Sequence, residues 1–188
     1  MNGAEDLFSD KVLGYFQEKL AASRWAGSVT VAAKVKVLKD FTMGRVDAKW
    51  RLIAGVQQQD IVFFRKHDSM SYDDFKSAAM LDIGKYRGEP IHIPLAVVEL
   101  KVGGGNMNTH ELITYSSISA QLKQVFPHCR YCLLMQSNER GFRQPTFLRH
   151  CKGFDRVFVG WPSKQGRLWT FVEDHFGYLE EAEIIDRA

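Results

Sequence analysis

Phe8, Val12, Phe16 and Leu20 recur every fourth residue, with Leu13 on the same side. That spacing predicts a first helix, broken by Gly27 and Ser28 and capped by Ser9 or Asp10 if it starts late. From Val29 the period changes to two. Val29, Val31, Ala33, Val35 and Val37 fall on one side and Thr30, Lys34 and Lys36 on the other, which predicts a half-buried strand over 29–38. Residues 49–53 read as a second short strand and 60–65 as a third. Residues 67–91 are polar and read as an insertion, with a short helix around 75–80. The run 91–102 is a strongly apolar strand interrupted by Pro94, and GGGNMN after it is a loop. A helix is predicted over 109–126, with Leu112, Tyr115 or Ser116, Ser119 and Leu122 on one face and Pro127 as its stop. Residues 130–136 form a buried strand, 137–153 a polar, basic loop and 156–160 a further short strand. Residues 167–173 read as a last strand, followed by an acidic tail.

Strands joined by short turns pair antiparallel, whereas the strand–helix–strand passage gives a parallel pair. The expected fold is therefore α/β, a mixed sheet flanked by helices. A length of 188 residues suits a single domain, with a core over about 8–160 and an acidic segment over 172–188. With 45% hydrophobic residues and only 15 Gly and 5 Pro, disorder and low-complexity architectures are excluded. No run of 18 apolar residues suggests a membrane span, and MNGAEDLFSDK lacks the basic and apolar regions of a secretory signal. Three cysteines without an export signal fit reduced thiols in a cytoplasm.

The net charge of +3 is uninformative, but its distribution is not. Residues 24–51 carry seven Lys/Arg against Asp40 and Asp47, and residues 101–152 carry seven against Glu111 and Glu139. From Val172 onward six acids face only Arg187. Such a division suits a polyanion on one face, although on charge alone a solvated surface is the simpler reading.

The candidate chemistry lies in QQQDIVFF and PLAVVELKVGG. Glu99 and Lys101 stand two apart on one strand, so both point to one face. Their neighbours Leu95, Ala96, Val97, Val98, Leu100 and Val102 are apolar, and a charged pair there is costly unless paired or used. Asp60 opens another apolar strand and can reach Glu99 if the two strands pair. Two converging carboxylates, with the Leu100 carbonyl as a third donor, make an all-oxygen site suited to Mg²⁺ or Mn²⁺. Lys101 would hold a water or a phosphate there. The competing interpretation is a partly buried Glu99–Lys101 ion pair at a strand end.

An acid opening one apolar strand, Glu-x-Lys late in the next, then a helix and a buried strand resembles the PD-(D/E)xK nuclease superfamily over about residues 8–136. The resemblance implies a restriction-endonuclease-like core and Mg²⁺-dependent hydrolysis of phosphodiester bonds in DNA. Asp60 and Glu99 would be metal ligands and Lys101 the activating lysine. Two departures stand out. Gln59 replaces the usual Pro, and 39 residues separate Asp60 from Glu99. Asp82, 17 residues before Glu99, is the competing first acid. Asp60 is preferred because DIVFF reads as a strand and LDIGKYRGE as a turn. Glu18 in the first helix and Gln121 in the helix after the motif match positions that some relatives use. Cutting both strands would require a homodimer or a partner nuclease subunit. A non-catalytic nucleic-acid-binding or assembly subunit with the same fold is the main alternative, and an RNA-directed nuclease a weaker one.

Lys123, Arg130, Arg140, Arg143 and Arg149 are candidate phosphate contacts. Cys129-x-x-Cys132 with His150 and Cys151 lacks a second CxxC, so no zinc site is expected. Gly103 to Gly105 lack the GK[ST] of a phosphate loop.

Overall fold

The computed structural model describes residues 3–46, 48–70, 81–82, 91–102, 108–137 and 144–186. In chain order these form α1 (Ala4–Ala21), β1 (Val29–Val46), β2 (Lys49–Met70), β3 (Leu81–Asp82), β4 (Ile91–Lys101), α2 (Thr109–Val125), β5 (Arg130–Met135), α3 (Gln144–His150), β6 (Arg156–Val159) and α4 (Gln165–Glu181). The fold is α/β. Five substantial strands and the two-residue β3 make one mixed sheet in the order β3-β2-β1-β4-β5-β6, with β2 also laid directly against β4. Among the described residues β1 reaches β4 through the single pair Val37↔His92. β2 meets β4 antiparallel along Ile61↔Val98, Val62↔Val97 and Phe63↔Ala96. β4, β5 and β6 run parallel, with α2 crossing between the first two. The helix expected around 75–80 lies outside the described residues.

Helices cover both faces of the sheet. On one side Phe8, Val12, Phe16 and Leu20 of α1 and Leu168, Val172, Phe176 and Leu179 of α4 pack with Ile61, Phe63 and Val98. On the other, Leu112 and Leu122 of α2 pack with Val62, Val97, Tyr131 and Leu133, and Phe147 of α3 joins them. α1 uses the four-residue spacing read from the sequence, but it starts earlier than Ser9. Gly3 is its N-cap, and Glu5 and Asp6 sit in the first turn, where the helix dipole favours acids.

Three sequence expectations are corrected. The two short strands at 49–53 and 60–65 are one 22-residue strand that forms a long hairpin with β1. The basic loop 137–153 contains α3. The strand expected at 167–173 is part of α4, whose buried Leu168, Val172, His175, Phe176 and Leu179 follow helical spacing. The acids of the tail, such as Glu173, Asp174 and Glu181, are the exposed face of that helix and its end.

β1 departs from its expected single buried face. Val29 and Val31 join the core under α1, whereas Val35, Val37 and Leu38 join the core under α2. The switch occurs at Lys34, whose φ of 55° is left-handed. A lysine in that conformation inside a strand is uncommon, and it reverses which way the following side chains face.

Phe63 is buried between both helices of its face, edge-on to Phe16 at 4.9 Å and to Phe176 at 5.4 Å. Phe63→Ala is expected to cost about 3–5 kcal/mol of stability, measured by denaturant unfolding with an unchanged slope. A loss below 1 kcal/mol would contradict this packing.

Candidate active site

The β2–β4 ladder ends at Ile61↔Val98. One step further, the Leu100 N–H would have no strand partner. It donates instead to Asp60 Oδ2 at 2.8 Å. On the other side of β2, the β1 register runs Ala33↔Ile61 and Val35↔Gln59 but omits Lys34 opposite Asp60. The left-handed residue and the acid thus share one interruption of the sheet, which frees the Asp60 side chain to reach across to β4.

Glu99 is buried at 6% exposure on the same end of β4. It lines one cleft with Asp60, and the charge of each carboxyl acts on the other. Lys101 Nζ stands 3.7 Å from Glu99 Oε1 and donates to the Tyr115 hydroxyl at 2.7 Å. Tyr115 is placed by the start of α2. The Asn108 side chain accepts from the Glu111 N–H at 3.0 Å, and Glu111 Oε2 accepts from the Asn108 N–H at 2.6 Å. This reciprocal cap fixes the first turn of the helix.

Behind Glu99 lies a second polar layer. The Tyr131 hydroxyl is 2.7 Å from Gln59 Oε1 and 3.2 Å from Glu99 Oε2. The phenol has one proton for two oxygens. That proton is donated to the Gln59 oxygen at the shorter distance and is shared with the Glu99 carboxylate at the longer one. Burial, and after it the charge of Asp60, push the Glu99 carboxyl up to about 8, while Lys101 and Tyr131 act against them. Burial likewise raises Asp60, opposed by the Leu100 N–H and Lys101 and assisted by Glu5. For Lys101, burial works to lower the pKa, but the Tyr115 hydroxyl and Glu99 outweigh it and hold the ammonium charged.

The three residues line a cleft of about 500 Å³ with Glu5 and Asp6 of α1, Lys34 and Tyr115. Lys34 Nζ is held by Asp6 at 2.7 Å. Among the described residues no group of three or more His, Cys, Asp or Glu is arranged to hold a metal. The donor set for a hard cation is thus two carboxylates and a main-chain carbonyl. Leu100 supplies the last, because an extended residue's C=O leaves the strand by the same edge as its N–H. Such a set fits Mg²⁺, which keeps several waters of its own. The mutual repulsion and raised pKa of the buried Glu99 and half-buried Asp60 carboxyls are what a bound divalent charge would relieve.

Other candidates lie elsewhere. The Asp82 backbone pairs with Ile53, seven residues from Asp60 along β2, or about 23 Å of extended chain. Glu18 is exposed near the C-terminal end of α1, and the acids of that helix facing the cleft are Glu5 and Asp6. Gln121 is half-buried on α2 and does not line the cleft. Lys123 is tied to Asp155 and to the Gly153 carbonyl, both at 2.7 Å. Arg149 is exposed on α3, and Arg140 and Arg143 lie outside the described residues. Cys129 and Cys132 are buried free thiols in opposite cores.

Sequence reasoning missed Tyr115, Tyr131, Gln59 and Lys34. The two tyrosines had a signal, since a phenol on a buried helix face or strand needs a partner for its hydroxyl. Lys34 had none, because nothing in VAAKVKV marks a left-handed residue. No family model matches the chain, and no curated protein resembles it closely enough to place it in a family.

The raised Glu99 pKa carries a sign for stability. The unfolded chain loses this proton near pH 4.5 and the folded chain near 8. Between those values the unfolded state binds fewer protons, so stability falls as pH rises, by at most about 1.4 kcal/mol per pH unit. In chelator-treated buffer, wild type is expected to lose a few kcal/mol relative to Glu99→Gln between pH 5 and 8, read by chemical denaturation. Parallel profiles for the two proteins would contradict a protonated, buried Glu99.

Proposed function

We propose that the protein is a divalent-metal-dependent nuclease with a restriction-endonuclease-like core, acting on DNA. The observation that carries this reading is that Asp60, bonded from β2 to the Leu100 N–H of β4, lines one cleft with Glu99 and Lys101. The order α1, β1, β2, β4, α2, β5 around that point supports it, because it matches the resemblance to the PD-(D/E)xK superfamily. Three buried free thiols suit a reducing cytoplasm. No helix among the described residues is long and apolar enough to cross a membrane.

Asp60, Glu99 and the Leu100 carbonyl would hold Mg²⁺ or Mn²⁺. The cation supplies Lewis acidity, acidifying a water and neutralising charge on the phosphate. This chain's residues do the rest. Asp60 and Glu99, fixed by the Leu100 N–H and by Tyr131, present their remaining lone pairs without rearranging. Lys101, steered by Tyr115, offers N–H donors to a water or to a non-bridging phosphate oxygen. As the water oxygen bonds phosphorus, the bond to the leaving oxygen breaks. Charge on the phosphate peaks in between, and an ammonium fixed beforehand costs no reorganisation at that moment. One such site cuts one strand, so double-strand cleavage needs a second copy or a partner nuclease subunit.

The test is incubation of linear and circular DNA with purified protein and Mg²⁺ or Mn²⁺. Wild type is expected to cut, Lys101→Met to lose roughly 100-fold or more in rate, and Asp60→Asn to be inactive, with melting temperatures confirming folded variants. A wild type that binds DNA in a salt-dependent way yet cuts neither DNA nor RNA would replace this reading with the non-catalytic subunit.

A further inference from the structure

A groove larger than the cleft, about 740 Å³, lies at the far edge of the sheet between β6 and the first half of α4. All four residues of β6 line it, as the open edge of a strand allows. β6 ends the sheet, so its outer main-chain edge faces this space. Four cations line it, Arg130, Arg156, Lys164 and Arg167, against Asp155 and Asp174.

One of those acids is already engaged from outside the groove. Asp155 Oδ2 already takes Lys123 Nζ and the Tyr131 N–H, each at 2.7 Å. Arg156 and Arg167 are exposed. The Arg130 guanidinium is steadied over the Phe171 ring at 5.2 Å. The groove is therefore concave, positively charged and partly preorganised, which is the footprint of an anionic chain.

Its position links it to the cleft. The Lys101 carbonyl accepts the Gln136 N–H at 2.8 Å, and the Gln136 carbonyl accepts the Trp161 N–H at 3.1 Å. These bonds join the ends of β4, β5 and β6 on the side where Glu99 and Lys101 stand. Lys164, three residues past Trp161, opens the groove at that end, about 10 Å across the sheet. The groove then follows β6 for about 13 Å, enough for several nucleotides advancing about 3.4 Å each.

We propose that this groove binds the sugar–phosphate backbone of duplex DNA beyond the cleaved bond, with Arg156, Lys164 and Arg167 as phosphate contacts. The assignment of DNA rests on the nuclease reading; the anionic character of the ligand does not. The contacts read no sequence and set orientation and affinity.

The test compares Arg156→Gln/Arg167→Gln with Lys11→Gln/Lys19→Gln, which removes the same charge from exposed positions of α1. Binding of a fluorescent 30-base-pair duplex is followed by anisotropy from 50 to 300 mM salt in chelator-treated buffer. Hydrolysis of bis(p-nitrophenyl) phosphate with Mn²⁺ reads the cleft alone. The groove variant is expected to bind at least 10-fold more weakly, with a salt slope shallower by about two, while it hydrolyses the small diester as wild type does. The α1 variant should bind within about threefold of wild type. Equal affinity and slope in the groove variant and wild type would overturn the groove, as would equal losses in the two double variants. If wild type cuts neither nucleic acid nor the small diester while the groove variant alone loses DNA binding, the groove stands and the nuclease reading fails.

Discussion

The structure turns on one hydrogen bond, from the Leu100 main chain to the Asp60 carboxylate. A ladder that ends leaves main-chain donors needing partners, and buried donors without them are costly. Here a side chain takes the place of the missing strand partner. It thereby brings an acid from β2 onto the strand that carries Glu99 and Lys101. Burial then does chemical work. The same enclosure that makes the hydrogen bond strong raises both carboxyls, Glu99 to about 8.

Support for this arrangement comes from three sides. Tyr131 and Gln59 fill the space behind Glu99, and Tyr115 holds Lys101 from α2. Across β2, the left-handed Lys34 breaks the β1 register opposite Asp60 and sends the rest of β1 into the other core. Strained or sparsely populated backbone concentrates where function demands it. Lys34 sits in the wall of the cleft, paired with Asp6 of α1.

Much of this was legible from residue spacing. The four-residue repeat of α1 and the apolar run of β4 are strong local signals, and Glu-x-Lys on one strand places both groups on one face. The preference for Asp60 over Asp82 depends on reading DIVFF as strand, and the register sets Asp82, on β3, against Ile53, seven residues from Asp60 along β2. What stayed hidden depends on tertiary geometry. The merger of two short strands into β2 arises from hairpin pairing along Val35↔Gln59 to Val46↔Lys49, across a Gln-rich stretch with no apolar alternation. In α4, RLWTFVE alone fits a strand, and only the continuation through His175, Phe176 and Leu179 reveals the helical stripe. The basic groove also depended on α4, since it exists only once that helix folds back beside β6.

Titration of the apo protein with Mn²⁺, followed by the loss of the free-ion electron paramagnetic resonance signal at pH 8.5, tests the convergence of Asp60 and Glu99 most directly. Wild type is expected to bind Mn²⁺ that Mg²⁺ displaces, and binding is expected to disappear in Asp60→Asn and in Glu99→Gln alike, with both variants folded. Binding of undiminished strength in either variant, or none in wild type, would contradict a cation held between these two carboxylates.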